Sequence, residues 1–384
     1  MPFHVSRRGG IDPFIVLQVL RAAGERAAAG KAVFPLQIGQ PSTPAPAGAR
    51  EAAKAAIDDR VLGYTDAPGI EALRRRIALH YREHYGQEVA PERVFVTTGS
   101  SGGFVLAFLA AFDAGARVVL TDPSYPCYRN MLGALGIETV QVPTGPDTCF
   151  QPTPELLERV EGPIDGLVVA SPSNPTGSML PPETLARLAA WCHDRGVRLV
   201  SDEIYHGIAY GMEEATAAGS PSAITVNSFS KYFSMTGWRI GWLVLPEDLT
   251  VAVERLGQNL FLNTPTVSQY AALAAFDCRE ELEGNVRRYA RNREILLSAL
   301  PAMGIPDFAT PDGAFYVYAD IGHLTNDSMA FCQRLLDETG VAITPGVDFD
   351  RERGNRTVRL SYCAATEDVE AAMDLLASFL RRAG

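Results

Sequence analysis

The sequence has no excess of positive charge. Its 34 lysine and arginine residues are outnumbered by 45 aspartate and glutamate residues, and the formal net charge is −11. Proteins that bind nucleic acid usually carry a basic face that neutralises phosphates. We therefore expect no nucleic-acid partner.

Long apolar runs are also missing. The most apolar stretches, 15–20 and 118–120, are short and flanked by polar residues, whereas a membrane helix needs about 20 apolar residues. The first ten residues contain Arg7 and Arg8 but no apolar segment followed by a small-residue cleavage site. These features predict a chain with no membrane partner and no secretory signal.

Cysteine and histidine are scarce, with six of each. The cysteines form no CxxC pair and do not cluster with histidine, which is typical of free thiols in a reducing cytoplasm. One segment, from His80 through Glu83 to His84, matches the inverted zinc-protease pattern HxxEH. It falls in a predicted helix whose apolar stripe includes Ile77 and Tyr81, so we expect His84 to pack beside that face and predict no metal site.

The composition favours a large folded chain. With 384 residues, of which 47% are hydrophobic and 21% charged, two domains are expected. From 46 to 276, helical patterns alternate with short apolar strands, as in a mainly parallel sheet covered by helices on both faces. The two chain ends, 1–45 and 277–384, are predicted to form a smaller α/β domain.

The predicted elements follow from the periodicity of apolar residues. Helices are predicted at 70–85, 102–112 and 182–195, with a long polar-faced helix from about 277 to 300. Strands are predicted at 93–97, 117–120, 166–170, 198–201 and 223–227 in the larger domain, and at 315–319, 341–344 and 357–361 in the smaller one.

Polar segments follow the predicted strands of the larger domain. In an open α/β sheet, ligands bind at the carboxyl ends of the strands. We therefore expect the functional site to be built from the segments 98–103, 122–125, 171–177, 202–205 and 228–231.

Two of these segments favour a phosphorylated ligand. Residues 98–103 are small and lie between a strand and a helix, where free N–H groups and the helix dipole can bind an anion. The segment has neither the GxGxxG nor the P-loop signature, and alone it could equally be a tight turn without a ligand. Ser228, Ser230 and Arg239 surround Lys231, and hydroxyls with a guanidinium suit a phosphate monoester.

Lys231 lies among aromatic and small residues rather than in a run of charges. Burial in this setting, with Arg239 nearby, would lower the pKa of the amine, as a lysine that reacts with a carbonyl requires. If the segment stood alone, a surface lysine packed on Phe229 or Tyr232 would be the better interpretation.

The chain resembles the class I/II aminotransferases, which are pyridoxal-phosphate enzymes of the aspartate aminotransferase fold (fold type I). The matching segments occur in the family's order over nearly the whole sequence, and six in order are far more specific than any one. They are residues 63–69 (GYTDAPG), 98–101 (TGSS), 173–177 (SNPTG), 202–205 (DEIY), 228–231 (SFSK) with 237–239 (GWR), and 358–361 (VRLS).

The resemblance implies roles around the cofactor, pyridoxal 5′-phosphate. Lys231 would hold the cofactor covalently and, once released by substrate, move the proton at the substrate α-carbon. Asp202 would accept the pyridine N–H and keep the ring protonated, although a capping aspartate after a strand is an alternative. Asn174 and Tyr205 would bind the phenolic oxygen. Tyr125 would stack on the ring, unless it is simply a core aromatic.

The resemblance also implies a phosphate site that two subunits share. Tyr64 would reach the phosphate from the neighbouring subunit, which implies a homodimer with shared active sites. The other residues of this subsite would be Ser100, Ser101, Ser228, Ser230 and Arg239.

Substrate binding is implied by the last motif. Arg359 would bind the α-carboxylate through a bidentate pair, assisted by Asn174, while the backbone near Gly39 closes over the substrate. The alternative for Arg359 is a strand arginine bonded to a surface carboxylate. After Phe349 the sequence has Asp350 where the family usually has glycine, a departure that concerns loop closure rather than chemistry.

The resemblance implies a cytoplasmic, homodimeric enzyme. It would transfer an amino group from an α-amino acid to a 2-oxo acid, with 2-oxoglutarate expected, by a ping-pong cycle. A lyase or decarboxylase on the same scaffold is an alternative, because such enzymes share Lys231 and Asp202. A non-catalytic, aminotransferase-like sensor is disfavoured, since such regulators carry a basic DNA-binding domain and only about 45 residues precede the large domain here.

Overall fold

The computed structural model describes residues 3–383, and within them the chain forms a seven-stranded sheet, a four-stranded sheet and a two-stranded pairing. The strands are β1 (Phe34–Pro35), β2 (Val94–Thr97), β3 (Arg117–Asp122), β4 (Glu138–Pro143), β5 (Gly166–Ala170), β6 (Arg198–Asp202), β7 (Ile224–Ser228), β8 (Gly241–Val244), β9 (Phe308–Ala309), β10 (Tyr316–Asp320), β11 (Val341–Ala342), β12 (Thr344–Pro345) and β13 (Thr357–Ser361).

Helices cover these sheets, and local sequence explains where several begin. Pro126, which needs no N–H partner, stands at the first position of one helix, and Asp327 caps another by accepting from Ala330 N at 2.9 Å. The α-helices are α1 (Ile15–Ala28), α2 (Ala47–Asp59), α3 (Glu71–Tyr85), α4 (Gly99–Ala111), α5 (Pro126–Leu135), α6 (Pro154–Leu157), α7 (Pro182–Asp194), α8 (Thr250–Leu260), α9 (Thr266–Ala275), α10 (Arg279–Ala302), α11 (Ser328–Thr339) and α12 (Thr366–Ala383).

The large sheet is mainly parallel. Its strand order is β2-β8-β7-β6-β5-β3-β4, and only β8 runs antiparallel to its neighbours. Successive residues of β5 point to opposite faces: Val168 packs in one cluster with Phe104 of α4, and Leu167 packs in another with Leu188 of α7. Both faces are therefore buried under helices, which confirms the predicted fold class.

Two strands of this sheet were not predicted from the sequence. β4 is an edge strand in which only Val142 is buried, so it lacks the apolar run that marks the central strands. β8 has only four residues and returns antiparallel after the segment around Lys231. β5 and β13 have the predicted bounds, and the other predicted elements are present with shifted ends, except that 341–344 is divided between β11 and β12.

The predicted loop at 98–103 needs correction. α4 begins at Gly99, so only Thr98 precedes the helix and most of the segment is its first turn. The N–H groups of a first helical turn have no partner within the helix. The prediction of a site rich in backbone donors therefore still holds, but the donors belong to a helix.

The smaller sheet unites the two ends of the chain. Its strand order is β12-β13-β10-β9, and beside it β1 pairs in parallel with β11, with Phe34 opposite Val341. Ser361 N donates to Leu36 O at 2.7 Å, which places residues 36–40 next to β13. The predicted domain limits, 46–276 against 1–45 with 277–384, stay a prediction.

The HxxEH segment lies on α3. Ile77 and Tyr81 are fully buried, as the predicted apolar stripe requires, while the exposed His84 packs its ring 4.3 Å from that of His80. Burial lowers the pKa of His80 to about 3. Among residues 3–383, no three histidine, cysteine, aspartate or glutamate side chains are grouped to hold a metal ion.

None of the helices described between residues 3 and 383 combines the length and apolar character needed to cross a membrane.

Candidate active site

A cavity of about 220 Å³ lies between the carboxyl ends of the large-sheet strands and the smaller sheet. Most of the residues predicted for the site line it, although they come from segments far apart in sequence. Those on its wall are Gly39, Ser100, Ser101, Tyr125, Asn174, Asp202, Tyr205, Ser230, Lys231, Arg239 and Arg359. Two predicted residues do not line it: Ser228 is buried behind Ser230, and the ring of Tyr64 is 87% exposed on the surface of its own chain.

Lys231 follows β7 and points into the cavity. Its Nζ donates to Gly39 O at 2.6 Å and lies 5.7 Å from the centroid of the Tyr205 ring. Burial, together with the charges of Arg359 and Arg239, lowers the pKa of Lys231 to about 8. The lowered pKa predicted from the sequence is therefore present.

Asp202 ends β6 and is buried. Its Oδ1 accepts from Ile204 N at 3.1 Å, and its Oδ2 accepts from the Tyr128 hydroxyl. Burial raises the pKa of Asp202 to about 6, against the lowering effect of these hydrogen bonds and of Lys231. Tyr128 was missed in the sequence. The signal that could have found it is its spacing, since it lies three residues after Tyr125 and α5 begins between them.

An anion cradle lies where α4 begins. Gly99 has φ +67°, and a Cβ there would lie 2.5 Å from Arg239 Nη2, so the guanidinium rests directly against the first helical turn. Ser228 Oγ lies 2.8 Å from Ser230 Oγ beside it. Backbone donors, hydroxyls and a guanidinium thus converge at one end of the cavity, as a phosphate monoester requires.

Arg359 is held at the other end, on β13. Its Nη1 donates to Asn174 Oδ1 at 2.8 Å and its Nη2 donates to Gln37 O at 2.6 Å. The guanidinium lies between two aromatic rings, 4.4 Å from the centroid of Tyr316 and 4.7 Å from that of Phe349. The side chain is only 2% exposed, and its hydrogen bonds within residues 3–383 go to an amide oxygen, a backbone oxygen and the Thr344 hydroxyl rather than to a carboxylate, so the surface ion pair considered from the sequence is wrong.

Gly39 sits where no larger residue fits. A Cβ on it would lie 1.6 Å from the Tyr316 hydroxyl, which is itself 2.7 Å from the Tyr205 hydroxyl. Because Tyr316 is buried and packs under Arg359, it has little room to move. The close approach places the backbone oxygen of residue 39 within hydrogen-bond distance of Lys231 Nζ.

The comparisons with known proteins agree with this geometry. A family model described as aminotransferase class I and II matches residues 31–376. A relative from Mycobacterium tuberculosis named valine–pyruvate aminotransferase is 50% identical over 385 residues, covering 99% of each chain. The chain belongs to the class I and II aminotransferases.

Solved structures agree with the assignment of this chain to the aminotransferase family. The crystal structure of an aminotransferase from Mycobacterium tuberculosis superposes with a TM-score of 0.97 at 49% identity, covering 99% of this chain and 100% of that one. Aspartate aminotransferase from Thermus thermophilus, with maleate, gives a TM-score of 0.93 at 33% identity, covering 98% of this chain and 100% of that one. The predicted family and fold are confirmed.

The aminotransferase is an enzyme that depends on pyridoxal 5′-phosphate, as its family does. When bound, this cofactor supplies a carbonyl that takes up the amino group and a ring that withdraws electrons. The cavity fits it: Lys231 offers an amine, Asp202 a buried carboxylate for a ring N–H, and the cradle of Arg239 against Gly99 a seat for a phosphate.

Asp350, the departure from the family pattern, organises its loop. The carboxylate is buried and accepts from Glu352 N at 2.9 Å and Arg353 N at 2.7 Å. It also pairs with Arg353 Nε at 2.8 Å, while Arg353 Nη2 donates to Asp122 O and Thr144 O, each at 2.9 Å. The aspartate therefore fastens the loop to the end of the large sheet.

Several residues of the site could not be found from sequence. Tyr316 and Phe349 enclose the arginine, and Gln37 fixes it through a backbone oxygen. Nothing in a local pattern marks these positions, because their role depends on how the smaller sheet meets the large one. The cavity wall also includes apolar residues that were not predicted: Phe14, Val16, Leu17 and Ile38.

Proposed function

We propose that this aminotransferase exchanges the amino group between an apolar α-amino acid such as valine and pyruvate. The supporting observation is the number of cations on the cavity wall. Within residues 3–383, only Lys231, Arg239 and Arg359 are positively charged there. If the first two serve the cofactor and Arg359 serves the α-carboxylate, no cation of the same chain remains on this wall for a second carboxylate.

This count disfavours the 2-oxoglutarate expected from the sequence, because burying its distal carboxylate without a partner would be costly. The name of the Mycobacterium tuberculosis relative, valine–pyruvate aminotransferase, supports the monocarboxylate pyruvate as the acceptor. The apolar part of the cavity wall, with Val16 and Leu17, suits a donor with an apolar side chain.

The residues near Lys231 would divide the work at the cofactor. With a pKa of about 8, the amine is partly neutral near neutral pH, so it can hold the cofactor and later take a proton from the substrate α-carbon and return it. Asp202 would keep the ring nitrogen protonated. Asn174 and Tyr205 would bind the phenolic oxygen, and Tyr125 would stack on the ring.

The arrangement at the two ends of the cavity would orient the ligands. Arg359 is pre-oriented by Asn174 and Gln37, so it presents its fork to a carboxylate with little loss of side-chain entropy. Gly39 would cover the bound substrate. The phosphate would be held at the opposite end by Ser100, Ser101, Ser228, Ser230 and Arg239.

A homodimer would complete the site. Val61 and Tyr64 are 96% and 87% exposed, and Leu262 is 58% exposed. The segments that carry these residues are joined by the hydrogen bond from Thr266 Oγ1 to Gly63 O. Apolar residues exposed together in this way are typical of an interface. A second copy would cover them and bring its own Tyr64 to the phosphate.

We also propose that the enzyme acts in the cytoplasm. Its six cysteines are all free, which is typical of proteins in reducing compartments.

Steady-state assays with L-valine test the substrate proposal. The protein loaded with cofactor is given pyruvate or 2-oxoglutarate, and alanine or glutamate is measured. We expect kcat/KM for pyruvate to exceed that for 2-oxoglutarate by about tenfold or more, since an unpaired buried carboxylate is strongly rejected. Parallel double-reciprocal plots are expected for the ping-pong cycle.

Other outcomes would overturn the proposal. A preference for 2-oxoglutarate would show that a cation outside this wall binds the second carboxylate. Ammonia released from the donor without any 2-oxo acid would support the lyase alternative. Cofactor binding without turnover of any amino acid would support the sensor.

A further inference from the structure

The first turn of α1 is capped by a residue from the opposite end of the chain. The first N–H groups of a helix have no partner within it, and Phe14, which precedes α1, has no side chain to supply one. Instead, the carboxylate of Asp348 accepts from Val16 N at 3.1 Å and from Ile15 N at 3.4 Å. Asp348 is only 1% exposed.

The same turn borders the active-site cavity. Phe14, Val16 and Leu17 all lie on its wall. Val16 is buried in a cluster with Phe349, and the Phe14 ring packs edge-on against Tyr125 with centroids 5.8 Å apart. A displacement of this turn would therefore change the space available beside the site.

The loop that carries Asp348 is also joined to Arg359. Phe349, the next residue, packs its ring 4.7 Å from the Arg359 guanidinium. The backbone oxygens of Asp348 and Phe349 are both bonded to the large domain. Arg129 Nη2 donates to Asp348 O at 2.6 Å, and Ser124 N donates to Phe349 O at 3.1 Å. Two adjacent residues of this loop thus contact the first turn of α1 and the Arg359 guanidinium.

We propose that Asp348 is a positioning residue that determines which donor side chains this enzyme accepts. It holds the first turn of α1 at a fixed distance from Arg359, and this distance sets the room between the α-carboxylate and the apolar wall. The inference rests on the proposed function in one respect, namely that Arg359 binds the substrate α-carboxylate.

The test compares Asp348→Ala and Asp348→Asn with a matched control. Asp327→Ala removes a similar cap, which accepts from Ala330 N at 2.9 Å at the start of α11, away from the cavity wall. Half-reactions of the cofactor-loaded protein are followed by absorbance with alanine, valine, leucine and glutamate as donors. The maximal rate constant and the half-saturating concentration are determined for each donor, and their ratio equals kcat/KM for that donor in a ping-pong cycle.

We expect Asp348→Ala to lower the valine-to-alanine ratio of kcat/KM by about tenfold, mainly through KM for valine, because a few methyl groups in an apolar pocket discriminate by that order. Asp348→Asn keeps one acceptor oxygen, so its valine-to-alanine ratio should lie between those of the parent and of Asp348→Ala. Asp327→Ala should leave the ratio unchanged.

Hydrogen exchange gives a readout that does not depend on turnover. The amides of 15–20 should exchange faster in Asp348→Ala but not in Asp327→Ala, since the cap is lost only at α1. The role of Asp348 would be overturned if kcat/KM changed by the same factor for all four donors in Asp348→Ala. It would also be overturned if hydrogen exchange of the α1 amides were unchanged in that variant.

A second pair of variants keeps the test decisive if Asp348→Ala does not fold. Leu17→Ala removes a side chain from the wall, whereas Leu20→Ala changes the same helix one turn further on, away from the wall. The valine-to-alanine ratio of kcat/KM should fall only for Leu17→Ala. An equal effect of both variants would show that Leu17 does not line the space for the donor side chain.

Failure of the proposed substrates is a separate result. If the parent enzyme prefers glutamate to valine, the substrate proposal fails. The comparison of short with long donors across the variants still decides whether Asp348 sets the room for the side chain.

Discussion

Lys231 and Arg359, the amine and the guanidinium of the active site, bond to backbone oxygens only two residues apart. Lys231 Nζ donates to Gly39 O and Arg359 Nη2 donates to Gln37 O, both at 2.6 Å. The segment that carries Gln37 and Gly39 is in turn held by the hydrogen bond from Ser361 N to Leu36 O at 2.7 Å. The N-terminal segment therefore sets the distance between the two cationic groups.

Gly39→Ala should impair substrate binding more than cofactor binding. The added Cβ would lie 1.6 Å from the Tyr316 hydroxyl, so the segment must shift away from Lys231 and Arg359. Overpacking of this kind costs about 1–3 kcal/mol, which corresponds to a rise in KM of roughly 5- to 100-fold. KM for the donor and Kd for the cofactor are measured together.

Gly24→Ala is the control for this variant. Gly24 lies within α1, and a Cβ there would meet nothing within 4 Å. We expect unchanged kinetics, because alanine is favoured over glycine inside a helix. An unchanged KM in Gly39→Ala would show that residues 36–40 can shift to accommodate the added Cβ without weakening substrate binding.

Tyr128→Phe should move the acidic limb of the kcat profile to higher pH. The hydroxyl bond lowers the pKa of Asp202, which burial raises to about 6, so losing this bond raises the pKa further. The carboxylate then takes up a proton at a higher pH and can no longer hold the ring nitrogen protonated. Activity should therefore begin to fall at a higher pH in the variant than in the parent enzyme.

Tyr318→Phe serves as the control for the pH profile. The Tyr318 hydroxyl lies 2.7 Å from Thr357 Oγ1, away from Asp202 and off the cavity wall. Its profile should match that of the parent. A Tyr128→Phe profile with the same acidic limb would mean that Ile204 N alone fixes the carboxylate.

Lys231 should react selectively with an amine-directed reagent in the cofactor-free protein. The sequence contains only three lysines, and the other two, Lys31 and Lys54, are exposed. Since only the neutral amine reacts and the pKa of Lys231 is lowered to about 8, its labelling should rise with pH and be half-maximal near pH 8. Peptide mass analysis measures labelling at each lysine.

Lys231→Ala should abolish turnover and borohydride-stable attachment of the cofactor, while Lys54→Ala should change neither. Stable attachment at Lys31 or Lys54 with activity retained would refute the role of Lys231.

Mixed dimers of Lys231→Ala and Tyr64→Ala should regain activity. If Tyr64 serves the neighbouring subunit, one site of a mixed dimer carries both changes and the other is intact. Random pairing makes half of the dimers mixed, so about a quarter of all sites should be whole. Turnover is compared before and after the two variants are unfolded and refolded together, with exchange checked by mass. Activity no higher than the average of the separate variants would mean that Tyr64 serves its own subunit or none.

Local sequence determined much of this protein. The apolar runs that became β5, β6 and β7 predicted the central sheet, because residues buried on both faces must be apolar throughout. The polar segments after these strands predicted the site, since the carboxyl ends of parallel strands share one edge. Lys231, Asp202 and Arg359 were identified in this way and from short motifs, and the structure brings all three onto one cavity.

Tertiary structure alone decided the parts of the site that join distant segments. The Tyr128 hydroxyl on Asp202 and the Asp348 cap on α1 join residues 74 and 332 positions apart. The Tyr316 ring reaches Arg359 from the neighbouring strand β10, and the Phe349 ring reaches it from the loop before β13. A sequence pattern records the period of one helix or strand, so it fixes which face is buried. It does not record which other element packs on that face, because that choice follows from the packing of the whole core.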